Sequence, residues 1–242
     1  MNTRMQKTQS QVIVYDGDCL QEPGAQLFDE QWWRQQNLVS GVLKGRGNTL
    51  VVEHSEGPMV MRRYLRGGWA AKMSHDRYFF TGFARSRPIR EFELLAYMQS
   101  AGLPVPVPVA ALCDRQGVTY QGALLTRKIE NSSSLADRLA DVTLGDEDWR
   151  AVGRCIAAFH TAGIIHADLN AANILVDESG RVYLLDFDRG RRLKANQSTG
   201  QGMLQTNLDR LRRSLEKITQ GSRQDVLERD WTLLLKEYAA AR

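Results

Sequence analysis

Asp168, Asn173 and Asp186 are the residues of this sequence best suited to chemistry. They fall in one stretch: His166-Ala167-Asp168-Leu169-Asn170-Ala171-Ala172-Asn173, the apolar run Ile174-Leu175-Val176, a turn, then Leu184-Leu185-Asp186-Phe187-Asp188. Two carboxylates and an amide thus flank a predicted hairpin. One carboxylate can accept a proton, and the Asn and the second carboxylate can hold metal ions. Phosphoryl transfer needs that division of labour, because it asks the protein for positioning and charge neutralisation and little covalent chemistry.

Other segments must position these groups. Asp146 to Ala162 reads as a helix leading into the stretch, with Trp149, Val152, Ile156 and Phe159 on one stripe and Gly163 at its end. Two more helices follow the stretch, Asn207–Thr219 and Arg223–Ala240. Upstream, Met59 to Tyr64 alternates as a strand, which puts Val60 and Arg62 on one face and Arg63 on the other. Arg90 to Met98 reads as a helix, with Phe92, Leu95 and Met98 at helical spacing. Glu91 in this helix can pair with an inward cation such as Arg62. Gly45 and Gly47 precede the apolar strand Leu50-Val51-Val52, and such glycines let backbone N–H groups close on phosphate oxygens. Leu103 to Pro108 is extended, strands follow near Val109–Cys113 and Gly122–Thr126, and Thr126 to Ser134 reads as a crossover between two lobes.

The first 33 residues read as peripheral, with a short strand at Gln11–Tyr15 and a short helix, capped by Asp29, that carries Trp32 and Trp33. The N-terminus is polar, and no apolar run approaches the ~18 residues of a spanning helix, so a cytosolic protein able to touch a membrane from that side is expected. Cys19, Cys113 and Cys155 are widely spaced and odd in number, which argues against zinc and against a disulfide framework and for buried structural thiols. Net charge is +4, unevenly spread: Arg34 to Leu94 holds eleven Lys/Arg against five Asp/Glu, and Arg189 to Arg242 twelve against six. This favours an anionic partner. The interleaved basic and aromatic residues from Arg66 to Arg87 suit an anionic membrane interface. No RNA-binding aromatic signature or Cys/His finger is present, so nucleic acid is not expected as a partner.

Taken in order, the glycine loop, strand cation, helix Glu, crossover, apolar helix, His-x-Asp-x4-Asn, strand and Asp-Phe resemble the protein-kinase-like superfamily over roughly residues 40 to 190. The resemblance implies an α+β, bilobal fold: a small N-terminal lobe with an antiparallel sheet plus one helix (40–129), a mostly helical C-terminal lobe (130–242), and an N-terminal extension (1–39). It implies ATP and Mg²⁺ as cofactors. Asp168 would orient the acceptor hydroxyl and take its proton, and Asn173 and Asp186 would hold Mg²⁺. Arg62 would stand for the strand lysine, with Glu91 as its helix partner. Gly45 and Gly47 would cover the phosphates, and Thr126 to Ile129 would lie near the adenine. His166 would fix the catalytic loop.

Departures narrow the acceptor. Arg62 replaces Lys, and a planar guanidinium must contact phosphate differently. Ala167 stands where many protein kinases carry Arg, Asp188 replaces the Gly of Asp-Phe-Gly, and no Ala-Pro-Glu follows. Little chain remains for a peptide platform, so a small or lipid-borne hydroxyl is the expected acceptor. Gly45-Arg46-Gly47, Arg62-Arg63-Tyr64, Arg66-Gly67-Gly68, Asp76-Arg77-Tyr78, Arg90-Glu91-Phe92, Gly102-Leu103-Pro104-Val105-Pro106, the His166–Asn170 and Asp186–Gly190 pieces and Asn207-Leu208-Asp209-Arg210-Leu211 together are similar to the lipopolysaccharide-core kinases that act on Kdo. That resemblance implies ATP-dependent phosphorylation of the 4-hydroxyl of Kdo on Kdo-lipid IV(A), by a peripheral enzyme on the anionic cytoplasmic face of the inner membrane. It implies no protein partner. A related phosphotransferase for a core heptose, an aminoglycoside or choline, and an inactive kinase fold used as a binding module, are the alternatives at this point.

Overall fold

A computed structural model describes residues 1–43, 49–64, 77–141, 144–193, 200–219 and 224–242. The chain divides into two compact units, the first formed by residues 1–100 and 106–128, the second by 101–105 and 129–242.

Unit 1 contains β1 (Thr3–Lys7), β2 (Gln11–Asp16), α1 (Glu30–Gln35), β3 (Val39–Leu43), β4 (Thr49–His54), β5 (Gly57–Arg63), β6 (Tyr78–Phe79), α2 (Arg87–Ser100), β7 (Pro108–Gln116) and β8 (Thr119–Arg127). The strands form one antiparallel sheet in the order β1-β2-β7-β8-β5-β4-β3, with the short β6 also paired to β8. Register decides what each face carries. Leu50 lies opposite Met61 and Met61 opposite Leu125, so these side chains share a face. That face closes on Leu27, Phe28 and Trp33, and the Trp33 indole N–H donates to the Leu27 carbonyl at 2.9 Å. Asp29 caps α1 by accepting from the Gln31 N–H at 2.9 Å, as expected.

Residues 1–39, set apart above as an extension, are therefore part of this unit's architecture. β2 sits between β1 and β7 with Val12, Ile13 and Val14 buried, and the segment before β3 adds Leu20, Leu27, Phe28 and Trp33 to the core on one face of the sheet. The alternation in Gln11–Tyr15 was too short to separate a peripheral strand from an inner one. The opposite face carries Val51, Val60, Arg62, Leu124 and Thr126, because Val51 pairs with Val60, Val60 with Thr126, and Arg62 with Leu124. α2 packs on this second face. It starts three residues earlier than the periodicity suggests, with Pro88 in its first turn, where a missing N–H costs nothing. Gly122 in β8 makes the close approach possible: a Cβ there would lie 2.6 Å from Pro88 Cγ and 3.0 Å from the Leu112 carbonyl oxygen.

Unit 2 contains β9 (Ser132–Ser134), α3 (Leu135–Asp141), α4 (Asp146–Thr161), β10 (Ile164–Ile165), β11 (Ile174–Asp177), β12 (Val182–Leu184), β13 (Arg191–Arg192), α5 (Gly200–Thr219) and α6 (Gln224–Ala240). α4 buries the expected stripe of Trp149, Val152, Ile156 and Phe159. Asp148 reaches back to the Gly145 N–H at 2.9 Å and closes the start of the helix. α4 crosses α6 at Gly153, where a Cβ would run into the Leu234 carbonyl oxygen. The hairpin β11–β12, extended by β9, carries the apolar run Ile174-Leu175-Val176.

The α+β, kinase-like fold class expected from the sequence is thus met by a sheet-rich first unit and a mainly helical second one. The three cysteines are free. Burial pushes the thiols of Cys113 and Cys155 up to about 11 and about 12. Cys19 is only partly covered and receives a hydrogen bond from Arg127 at 3.4 Å. Among the described residues, no helix is long and apolar enough to cross a membrane.

Candidate active site

Chemistry-bearing groups gather at one place in each unit. In unit 1, β5 presents Arg62 and α2 presents Glu91. The guanidinium Nη2 lies 2.6 Å from both Glu91 carboxylate oxygens. Glu91 is 2% exposed and Arg62 23%, so the pair is screened far less than a surface ion pair. The Tyr64 hydroxyl donates to Glu91 Oε2 at 2.5 Å, and the Arg62 guanidinium lies 4.9 Å from the centre of the Tyr64 ring. Tyr64 follows Arg62 by two residues along the strand direction, which brings both to the same carboxylate. Tyr64 and α2 thus fix where the Arg62 charge sits.

In unit 2, four residues close a ring of hydrogen bonds. The Asp168 N–H donates to His166 Nδ1 at 3.0 Å. His166 Nε2 meets the Leu185 carbonyl at 2.6 Å. The Leu185 N–H donates to the Asn173 carbonyl at 2.9 Å, and Asn173 Nδ2 donates to the Asp168 carbonyl at 2.9 Å. A carbonyl only accepts, so Nε2 of His166 carries the proton and Nδ1 accepts. Burial lowers the His166 pKa and favours this neutral form. Asn170 adds a local cap, its Oδ1 accepting from the N–H groups of Ala172 and Asn173 at 3.0 and 3.2 Å. The ring uses the main chain of Asp168 and of Leu185, the residue before Asp186, so both carboxylates stay outside it.

The loop after the ring is tight. Asp186 has φ +58° and Arg189 φ +97°, left-handed values that ordinary residues adopt at a cost of about 1 kcal/mol each. The Gly190 N–H bonds the Phe187 carbonyl at 2.7 Å. Phe187 is buried between Phe159, at 5.6 Å between ring centres, and His166, at 4.7 Å. Asp188 is not among the left-handed residues, so this turn does not demand glycine there.

Behind the ring stands a second polar layer. Asn207 on α5 holds both main-chain groups of His166: its Oδ1 accepts from the His166 N–H at 3.1 Å and its Nδ2 donates to the His166 carbonyl at 2.7 Å. His160 lies 3.4 Å from Asn207 Oδ1 and 2.8 Å from the Tyr238 hydroxyl. Burial lowers the His160 pKa to about 4, so this imidazole is neutral. Ser214 accepts from the Ala171 N–H at 3.2 Å. In front of the ring, Arg210 Nη1 lies 3.2 Å from Asp168 Oδ1.

The expected site residues divide accordingly. Asp168, Asn173 and Asp186 come together in unit 2, and Arg62 and Glu91 meet in unit 1. Thr126 is buried on the Arg62 face of the sheet, opposite Val60. Gly45 and Gly47 lie outside the described residues, between strands that pair as far as Leu43 and Thr49. The sequence reading gave no role to Tyr64, Asn170, Asn207, Arg210 or Ser214. Period-two alternation from Arg62 could have pointed to Tyr64. Asn207 stood out only as part of the Asn207–Leu211 motif, and its task exists only once α5 meets the loop.

The donor set fits a hard cation. Asn173 turns Nδ2 to the Asp168 carbonyl, which directs Oδ1 away from the ring, and Asp186 is exposed. Among the described residues no group of three or more His, Cys, Asp or Glu assembles a complete cage. Two oxygen donors completed by phosphate oxygens is the pattern of Mg²⁺ bound with a nucleotide.

Comparison with known proteins agrees with this geometry. The sequence profile of the lipopolysaccharide kinase (Kdo/WaaP) family matches residues 30–238. The chain is 41% identical over 232 residues to a 3-deoxy-D-manno-octulosonic acid kinase of Xanthomonas euvesicatoria pv. vesicatoria, covering 95% of this chain and 90% of the relative. It is 40% identical to the protein of that name from Photobacterium profundum, over 88% of both chains. Against the one from Vibrio parahaemolyticus it is 36% identical over 93% of this chain and 92% of the relative. With a kinase-like fold and a match over nearly its whole length, the chain belongs to the lipopolysaccharide kinase (Kdo/WaaP) family and is an ATP-dependent phosphotransferase.

Proposed function

We propose that this protein transfers the γ-phosphate of ATP to the 4-hydroxyl of Kdo on Kdo-lipid IV(A), in the making of the lipopolysaccharide inner core. The observation that carries the reading is the ring around Asp168: its main chain is fixed by His166 and Asn173 while its carboxylate remains half-exposed for an acceptor hydroxyl. Asp168 orients that hydroxyl and takes its proton as the O–P bond forms and the bond to the departing ADP oxygen breaks. Asn173 and Asp186 would hold Mg²⁺, which when bound neutralises charge on the phosphates. Arg62 is the cation offered to the phosphates, with Glu91 and Tyr64 setting its position. Gly45 and Gly47 are assigned to cover the phosphates, and Thr126 to the neighbourhood of the adenine.

The acceptor is lipid-borne, and one patch of unit 1 supports a peripheral seat on the anionic cytoplasmic face of the inner membrane. Phe79 and Val118 are 71% and 76% exposed, and the Phe80 N–H donates to the Val118 carbonyl at 2.9 Å, so these apolar tips are neighbours. Arg115 lies over the Phe80 ring at 4.8 Å and Arg87 over the Tyr78 ring at 4.8 Å. Exposed apolar tips ringed by cations suit a lipid interface. Lys72, also expected there, is outside the described residues.

The deciding assay combines purified protein, ATP, Mg²⁺ and Kdo-lipid IV(A), with mass spectrometry for a single added phosphate and NMR to place it on O4. Absence of phosphate on Kdo, with turnover of a heptose or a soluble amino sugar instead, overturns the reading. Charge reversal at Arg77, Arg85 and Arg115 should release the protein from anionic vesicles; unchanged co-sedimentation removes the membrane assignment.

A further inference from the structure

We infer that Arg210 is the residue that reads the acceptor's carboxylate, and that by doing so it frees Asp168 to act as base. The inference rests on the proposed sugar-acid acceptor and adds the group that would select it.

Arg210 comes from α5 and reaches the loop at Asp168. Among the described residues its one hydrogen bond is from Nη1 to Asp168 Oδ1, at 3.2 Å, and its buried Nε meets no partner. Arg210 and Asp168 are 43% and 41% exposed, so the pair is open to an incoming ligand. A guanidinium offers a planar fork that matches a carboxylate through two parallel bonds, and one contact to Asp168 leaves that fork largely unused. The contact also takes up part of the hydrogen-bonding capacity of Asp168 Oδ1. As it stands, it marks an anion subsite beside the base and occupies the oxygen that would meet the acceptor hydroxyl.

An acceptor with its own carboxylate resolves both points. A 3-deoxy-octulosonic acid carries its carboxylate at C1, an anomeric C2, a methylene at C3 and its first free secondary hydroxyl at C4. The nearest hydroxyl is thus only a short run of bonds from the acid group. Arg210 and Asp168, in direct contact, have the spacing to take these two groups of one sugar. When the sugar carboxylate draws the Arg210 fork to itself, Asp168 Oδ1 is released to accept the C4 hydroxyl proton. A neutral sugar makes no such exchange, so Arg210 stays on Asp168 and Oδ1 stays occupied. One cation thereby selects acidic sugars and favours the hydroxyl nearest their carboxylate.

The test compares two acceptors, Kdo-lipid IV(A) and the same lipid with the accepting sugar's C1 acid converted to carboxamide, against wild-type enzyme, Arg210→Gln and Arg210→Lys. Wild type should favour the acid over the amide by about 30-fold in kcat/KM, which is about 2 kcal/mol. Arg210→Gln should lose most of its activity on the acid and gain about three-fold on the amide, so that the preference collapses. Arg210→Lys, which keeps charge without the fork, should retain part of the preference, and it serves if the Gln variant does not fold. Equal losses on both acceptors would show a structural residue and overturn the inference, as would a wild type indifferent to the amide. A wild type that phosphorylates neither lipid overturns the proposed function itself, a result distinct from either of these.

Discussion

Unit 1 and unit 2 hold their functional groups by opposite means. In unit 1 the group is charged and so is its support: Arg62 meets a carboxylate that is almost fully buried, on a strand and a helix that are both regular. In unit 2 the support is neutral and mostly main chain. His166 and Asn173 close a ring through backbone groups, and the two carboxylates project from an irregular loop. A cation that must keep one position gains from a fixed counter-charge. A base that must exchange a proton is better left without one inside its scaffold. The functional side chain and its support are therefore the same atoms in unit 1 and separate atoms in unit 2.

Asp168→Asn tests the separation in unit 2 directly. The ring touches only the N–H and carbonyl of Asp168. Substitution should therefore lower kcat by about 10³-fold, the scale of a lost general base, while the melting temperature and nucleotide affinity stay put. A large loss of stability would mean that side chain and support are not separate after all. In unit 1 the reverse is expected. Arg62→Met takes from the buried Glu91 the guanidinium that meets both its oxygens, at a cost of about 3–4 kcal/mol in a urea titration. The double variant Arg62→Met with Glu91→Leu should recover part of that cost, because an apolar pair needs no counter-charge. If the double variant is as unstable as the sum of its parts, the buried charge is not what sets the penalty.

Much of this was legible in the residues, and what was not has a common cause. The strand around Arg62 and the helix around Glu91 follow from alternation and helical spacing, and two inward, opposite charges have few other ways to be satisfied. The His-x-Asp-x4-Asn spacing gave the loop. The place of residues 1–39 was missed, since Leu27, Phe28 and Trp33 have a partner only after the sheet exists. Asn207 and Arg210 were visible as a motif, yet their contacts lie 41 and 42 residues away along the chain. Periodicity reports which face a residue takes, and it is silent about which distant backbone that face will meet.

The neutral layer of unit 2 makes it the more acid-sensitive region. His160 is buried with a pKa near 4, below its ordinary 6.5. Between these values the unfolded chain binds a proton on residue 160 that the folded chain refuses. Its contribution to stability is complete above about pH 6.5 and is lost as pH falls toward 4, by about 2–3 kcal/mol. His166, lowered by burial as well, acts in the same direction. Hydrogen exchange on α4 should accelerate over this range before exchange on β5 does, and His160→Gln should flatten the trend. Equal acceleration in both units would show that the histidines are not responsible.

Distance from the functional groups should matter differently in each unit. Gly122 and Gly153 are both points of close approach, the first between β8 and the start of α2, the second between α4 and α6. A methyl at Gly122 would press on Pro88 and on the Leu112 carbonyl, which is backbone and cannot turn aside. Pro88 begins the helix turn that delivers Glu91, so the strain has a direct path to the Arg62 pair. Gly122→Ala should cost about 1–2 kcal/mol and also raise KM for ATP. At Gly153 the obstacle is the Leu234 carbonyl, again backbone, while α4 and α6 reach the ring at second hand, through the bonds of His160 to Tyr238 and to Asn207. Gly153→Ala should destabilise unit 2 by a similar amount and leave KM for ATP unchanged. If KM moves with Gly153 and not with Gly122, the support of the charged pair does not run through α2.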